Sequence, residues 1–190
     1  MQKQASKLFT PEEYLALEEA AEFKSEYYRG EIFAMAGASA NHNRIVMNLA
    51  SNLTPALSGT PCEAFMSDMR TRVEVQDAFC YPDITIICGD LHKYKNRSDT
   101  VLNPIIIFEV LSKSTESFDR GKKFENYRSI PTLREYILID QYEIHVEQFS
   151  IGKEDKWMLT EYRNPEDIFR LFNLDIEMSL NRVYERVEFD

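Results

Sequence analysis

Two nearly continuous runs of β-branched and apolar residues, Ile84 to Cys88 (ITIIC) and Ile105 to Val110 (IIIFEV), constrain this chain most. A strand with one wet face alternates polar and apolar residues. Runs without that alternation are covered on both faces, the pattern of central strands in an α/β sheet. Each run carries an acid: Asp83 opens the first and Glu109 lies near the end of the second. A carboxylate in such a place is either neutralised or given a partner, because an isolated buried charge is costly.

The flanking segments supply the other layers. Thr10-Pro11-Glu12-Glu13 starts a helix, with Thr10 as N-cap, Pro11 at the first helical position and Glu13 closing a capping box; the helix is expected to run to about Ala21. Ser25 to Arg29, Gly30, and Glu31 to Met35 predict a hairpin. Ser39 caps a second helix from Asn41 to about Leu57, on the spacing of Ile45, Val46, Leu49, Leu53 and Leu57, with Pro55 weighing against its last turn. Across residues 62–75, Met69, Thr71, Val73 and Val75 alternate with Arg70, Arg72 and Glu74, which predicts a strand with one wet face. Residues 89–103 read as a solvent loop and Ser112 to Glu116 as a polar turn. A helix from about Phe118 to Ser129 then stops before Pro131. Strands at Leu133 to Ile139 and Glu143 to Phe149, alternating segments at 157–162 and 168–171, and a short helix near Leu180 to Glu188 complete the chain. With 190 residues and no repeat or linker, one domain is expected over 1–190, its core at about 10–150 and the C-terminal strands and helix packed on it.

Several function classes are disfavoured. No run approaches the roughly 20 apolar residues of a membrane span, and Met1 to Leu8 is polar without a signal-peptide core, so a cytoplasmic protein with no membrane partner is expected. Cys62, Cys80 and Cys88 lack CxxC spacing and are expected as reduced, buried thiols. His42, His92 and His145 lie far apart, which argues against a preformed zinc site. A net charge of −10 opposes nucleic-acid binding, since phosphate affinity comes from clustered Lys and Arg. Local clusters (Lys93, Lys95, Arg97; Lys113, Arg120, Lys122, Lys123), or a positive cleft between the subunits of a homodimer, are the routes by which such a chain would meet DNA.

A hard cation such as Mg²⁺ is one natural partner for Asp83 and Glu109; a loop cap or a basic side chain is the other, and spacing leaves both open. Pro82-Asp83, a central strand, a loop and then Glu109-Val110-Leu111 resembles the PD-(D/E)xK nuclease pattern, in which two acids bind metal and a lysine two residues after the second assists. The chain departs from it at Leu111. A strand period of two puts residue 111 on the face of Glu109, so the ammonium is missing from its usual place.

Over residues 10–150 the chain resembles the Uma2 family, formerly a domain of unknown function, regarded as restriction-endonuclease-like and common in cyanobacteria. The residues that carry this are Lys24-Ser25-Glu26-Tyr27 with Gly30-Glu31, Met35-Ala36-Gly37-Ala38-Ser39 with His42-Asn43, Ser67-Asp68-Met69-Arg70, and Tyr81-Pro82-Asp83. Glu109-Val110-Leu111-Ser112 with Ser114-Thr115, Asp119-Arg120-Gly121 with Lys123 and Tyr127, and Leu133-Arg134-Glu135-Tyr136 continue it. The resemblance implies a restriction-endonuclease-like mixed β-sheet flanked by helices, of α/β class, and a Mg²⁺- or Mn²⁺-dependent endonuclease acting on DNA. It implies that Asp83, Glu109 and the Val110 carbonyl hold the metal, with the lysine displaced to Lys123 on the following helix and Glu26 as a third ligand or water holder. Lys113 and Lys122 are the rival lysines, Lys122 pointing about 100° away from Lys123.

Other readings stay open for these residues. Asp119 and Lys123 at i,i+4 also fit a surface pair, and Glu26 a strand-surface acid. His42 fits a helix-cap position as well as a substrate contact, and Arg70 and Arg72 fit phosphate contacts or pairs with Glu74 and its neighbours. Leu111 and the acidic surface favour a second class, a nuclease fold without turnover acting as a binding or regulatory module. A two-carboxylate glycosidase is the third, without an aromatic sugar motif to support it.

Overall fold

The two apolar runs become adjacent central strands. The computed structural model describes residues 7–152 and 154–189; the polar stretch 1–6 lies outside them. In chain order the elements are α1 (Pro11–Ala20), β1 (Ser25–Tyr28), β2 (Glu31–Ala34), α2 (Ala40–Leu57), β3 (Cys62–Met66), β4 (Arg70–Val73), β5 (Ala78–Cys80), β6 (Ile84–Cys88) and β7 (Thr100–Val101). They continue with β8 (Ile106–Leu111), α3 (Glu116–Phe118), α4 (Phe124–Tyr127), β9 (Glu135–Asp140), β10 (Val146–Ile151), β11 (Trp157–Tyr162), β12 (Ile168–Leu171), β13 (Ile176–Ser179) and α5 (Leu180–Val183). A six-stranded sheet has the order β11-β10-β9-β8-β6-β3, a five-stranded sheet the order β2-β1-β5-β4-β7, and β12 pairs with β13. The sheets are mixed: β8 runs parallel to β9 and antiparallel to β6, with Phe108 opposite Ile84 and Glu109 beside Leu138.

Strand β8 explains why its run has no polar alternation. On one face Phe108 and Val110 pack with Ile45, Leu49 and Leu53 of α2 and with Phe169, Leu171 and Leu180 from the C-terminal segment. On the other, Ile107 and Leu111 pack with Val73, Cys80, Tyr127, Tyr136 and Leu138. Burying each such aliphatic side chain contributes about 1.5–3 kcal/mol. Leucine at 111 is therefore a core residue.

Local signals act as their chemistry requires. Both hydrogen bonds of the Thr10–Glu13 capping box form. The β1–β2 hairpin turns through Arg29 (φ 46°) and Gly30 (φ 91°), the left-handed pair that matches strand twist in a two-residue turn. A Cβ on Gly30 would also lie 3.0 Å from the Leu8 Cβ.

Four expectations are corrected. Residues 62–75 form two strands in different sheets rather than one, and β4 has no wet face, since all four of its residues are buried. The cause is that the buried Arg70 and Arg72 guanidiniums reach partly exposed carboxylates and an aromatic face: Arg70 Nη2 binds Asp99, while the Arg72 guanidinium lies 4.4 Å from the Phe79 ring centre with Nη2 2.7 Å from Asp77 Oδ1. The 89–103 segment is not wholly loop, because Thr100–Val101 adds to the edge of β4 in parallel. The helix expected from Phe118 begins at Glu116, ends at Tyr127 and contains a π turn over Asp119–Lys123. Finally, antiparallel pairing of β3 and β6 sets Cys62 opposite Cys88, and the two form a disulfide; Cys80 alone is free, and buried. The 26-residue separation hid that register from sequence reading.

Asp99 yields a pH prediction. Partial burial pushes its carboxyl up, but hydrogen bonds from Arg97 and Thr100 and the charges of Arg70 and Arg97 hold it at about 2, below its ordinary 3.8. A depressed carboxylate contributes stability above its unfolded pKa and loses it as pH falls through the folded value. Asp99→Asn should thus be less stable than wild type at neutral pH, with the gap closing between about pH 4 and 2 in urea titrations. A gap independent of pH would refute this pairing.

Candidate active site

Glu109 and Lys123 form the centre of a buried charged cluster. Period two in β8 turns Glu109 away from α2 and toward the helical segment 116–127, where Lys123 Nζ lies 2.8 Å from its Oε1. The same ammonium is 3.2 Å from Glu26 Oε1, contributed by β1, and 3.6 Å from Asp119 Oδ1. Tyr127 Oη donates to Glu109 Oε1 at 3.0 Å, and the Tyr81 N–H donates to Glu26 Oε1 at 2.9 Å. Asp83, just before β6, accepts the Val110 N–H on Oδ2 at 2.7 Å, and His42 Nε2 lies 3.0 Å from its Oδ1.

The π turn makes the helical side of this cluster possible. In an uninterrupted α-helix each step of four residues rotates the side chain by about 40°. An i→i+5 turn takes up an extra residue and turns the stripe back, so Asp119, Lys123 and Tyr127 all reach the same carboxylate region.

The electrostatics are unbalanced. Burial pushes Glu109 well above the ordinary glutamate range; Lys123 pulls it down, while Asp119, Asp83 and Glu26 push it further up. Asp119 is raised likewise, first by burial and against the pull of Lys123. Burial acts to lower Lys123, but Glu109, Glu26 and Asp119 outweigh it and hold its ammonium well above the usual lysine value. One ammonium thus faces several carboxylates. These are hard oxygen donors, the set that suits Mg²⁺ or Mn²⁺. Burial likewise pushes the nearby Cys80 thiol up.

Of the residues singled out in the sequence, Glu26, Glu109 and Lys123 come into direct contact, and Asp83 joins them through Val110 on β8. Val110 meets Asp83 through its N–H. The rival lysines are elsewhere: Lys113 lies over the Tyr142 ring at 5.0 Å, and Lys122 pairs with Glu125 at 2.8 Å. The Asp119–Lys123 pair is not on the surface, as both residues are buried. Arg70 and Arg72 are buried in structural pairs and do not present themselves to phosphate. Of the basic clusters, Lys95 pairs with Glu12, Arg97 with Glu19 and Asp99, and Arg120 with Glu116 and Glu147.

Sequence reading missed Tyr127 and Asp119 as members of the cluster and left His42 undecided. The Asp119, Lys123, Tyr127 spacing of four was a legible stripe; nothing in the sequence pointed His42 at Asp83. Among the described residues, the groups of three or more His, Cys, Asp or Glu with ligand atoms within 4.8 Å of one another lie around His145, with Asp140 and Glu143 or with Glu147 and Glu161; the carboxylates around Lys123 are not gathered that closely. Those acids already face Arg120 and Arg163. No described helix is long and apolar enough to cross a membrane.

Residues 11–181 match a family model, Uma2, described as "Putative restriction endonuclease". A Synechocystis protein described as uncharacterized is 40% identical over 178 residues, 94% of this chain and 97% of that protein. A second uncharacterized Synechocystis protein is 29% identical over 180 residues, 95% and 93% of the two chains. The fold is shared with the crystal structure of a "putative nuclease belonging to DUF820" from Anabaena variabilis, at TM-score 0.79 and 18% identity, covering 95% of this chain and 99% of that one.

Proposed function

The chain belongs to the Uma2 family, and from that premise we propose that it is a divalent-metal-dependent endonuclease hydrolysing DNA phosphodiester bonds at the Glu26, Asp83, Glu109 and Lys123 cluster. The observation that carries this is the buried excess of carboxylate around one ammonium, with Lys123 Nζ 2.8 Å from Glu109. Gathering Asp119, Asp83 and Glu26 around Glu109, where each raises the cost of ionising it, works against stability and supports a functional role.

In this reading Asp83, Glu109 and the Val110 carbonyl would hold Mg²⁺ or Mn²⁺, and the bound ion would supply Lewis-acid polarisation of the phosphodiester. Asp83 is oriented by the Val110 N–H and Glu109 by the Tyr127 hydroxyl. Water adds to phosphorus and gives up one proton to solvent, the ester P–O bond breaks, and the leaving oxygen takes up one proton from solvent, so that one water is consumed per bond cut. Glu26 orients the attacking water, its Oε1 held by the Tyr81 N–H. Lys123 balances the charge that grows on the phosphoryl oxygens. The net charge of −10 makes DNA affinity weak and salt-sensitive.

The test is cleavage of plasmid and short linear DNA at low salt by wild type, Asp83→Ala and Lys123→Ala, with Mg²⁺, Mn²⁺ or EDTA and with circular dichroism as the folding control. Metal-dependent cutting is expected, reduced in each variant by roughly 1,000-fold or more, about 4 kcal/mol of transition-state stabilisation. If wild type neither cuts nor takes up Mn²⁺, the family fold serves here as a binding or regulatory module.

A further inference from the structure

Asp83 is the one carboxylate of the cluster whose two oxygens are both held by groups outside it, and the holders belong to a closed hydrogen-bond circuit. Starting from β8, the Leu111 carbonyl accepts Gln141 Nε2–H at 2.6 Å. Gln141 Oε1 accepts the Ser39 hydroxyl. Ser39 Oγ in turn accepts the His42 N–H at 3.0 Å, which is the N-cap bond of α2. His42 Nε2 meets Asp83 Oδ1 at 3.0 Å, and Asp83 Oδ2 accepts the Val110 N–H at 2.7 Å, one residue from where the path began. The first turn of α2, the end of β9 and the end of β8 are thereby tied around a single carboxylate.

We propose that His42, held by Ser39 and Gln141, is a positioning residue for Asp83 as a divalent-cation ligand. The inference rests on the metal-dependent reading above. A carboxylate oxygen has about two lone-pair directions. One partner on each oxygen fixes the plane of the group and leaves the remaining directions for a cation. The imidazole is suited to this because its place is set twice over, by the capped helix turn and by the bond to Asp83. Its side chain is 18% exposed against 7% for Lys123, so this flank of the cluster is the more open to solvent. Gln141 is buried and does not touch Asp83, so its effect on cation binding can come only through the circuit.

Mn²⁺ binding by calorimetry to the full chain tests this, using wild type, His42→Ala, His42→Gln and Gln141→Ala, each with its melting temperature. Outer partners of metal ligands typically contribute about 10- to 100-fold in affinity. His42→Ala is expected to weaken Mn²⁺ binding by that factor, Gln141→Ala by a smaller one, and His42→Gln to recover part of the loss. Melting temperatures that fall while the Mn²⁺ affinity of His42→Ala equals wild type would reduce the circuit to a structural tie and overturn the proposal. A metal-free arm reads the imidazole ¹⁵N signals of His42 by NMR, which should move in Asp83→Asn; unmoved signals would show that the contact is absent and also overturn it. If wild type takes up no Mn²⁺, the metal reading of the cluster falls, and the imidazole signals still decide whether His42 holds Asp83.

Discussion

Lys123→Met should lower the unfolding free energy at neutral pH by about 3–5 kcal/mol, the usual result of removing one member of a buried ion pair. Methionine nearly matches the lysine stem in volume, so packing is preserved and only the ammonium is lost. Glu109 and Asp119 then remain buried, at 5% and 3% exposure, with no cation to face. The pH dependence follows from the direction of their shifts. Burial already raises both acids above their ordinary values, against the pull of Lys123, and without Lys123 they rise further. An acid whose folded pKa exceeds its unfolded value costs stability progressively as pH rises through that interval. The deficit of Lys123→Met should therefore shrink as pH falls from neutrality toward the unfolded carboxylate range. Adding Glu109→Gln to Lys123→Met should recover part of the loss at pH 7. Urea denaturation of the three proteins at two pH values measures both effects, and a midpoint unchanged by Lys123→Met at pH 7 would rule out the buried pair.

Phe108→Ala should cost a similar amount, about 3–5 kcal/mol, for a different reason. Phe108 is fully buried on the face of β8 opposite Glu109, with Ile84 across the ladder and α2 above it. Truncation removes its transfer free energy and leaves a cavity that two packed layers can only partly close. Phe108→Leu should cost less than half as much. For a chain of this length, each kcal/mol shifts the melting temperature by roughly 2–4 °C, so the alanine variant should melt about 10 °C lower. A drop within a degree or two would mean that α2 does not seal that face.

Reading the residues alone reached the skeleton of the molecule. The unbroken apolar runs, the Thr10–Glu13 capping box, the Arg29-Gly30 turn and the helical spacing of apolar residues in α2 all report on backbone and packing preferences within a few residues, and each formed. Part of the cluster was legible for the same reason: an acid in a buried strand announces an energetic problem wherever it occurs, which picked out Asp83 and Glu109. The resemblance to Uma2 added Lys123 and Glu26, which no local rule would have chosen over Lys113, Lys122 or the many other glutamates.

What escaped depended on contacts between distant segments. Arg70 and Arg72 looked like a wet face because alternation reports polarity and not the presence of a partner that the buried guanidinium can reach; Asp99 and Asp77 decided otherwise. Cys62 and Cys88 looked unpaired until the β3–β6 register set them opposite each other. His42 found Asp83 only because α2 packs with its first turn over the start of β6, and the π turn that aims Asp119, Lys123 and Tyr127 together has no local sequence rule behind it. The sequence by itself determined which segments are strands and helices and that two acids lay where charge is expensive, because those follow from the residues' own hydrophobicity and backbone preferences. The tertiary structure alone decided which groups orient those acids and how many of them share the one ammonium of Lys123, because a buried charge is settled by whatever charges the fold brings within about 4–6 Å.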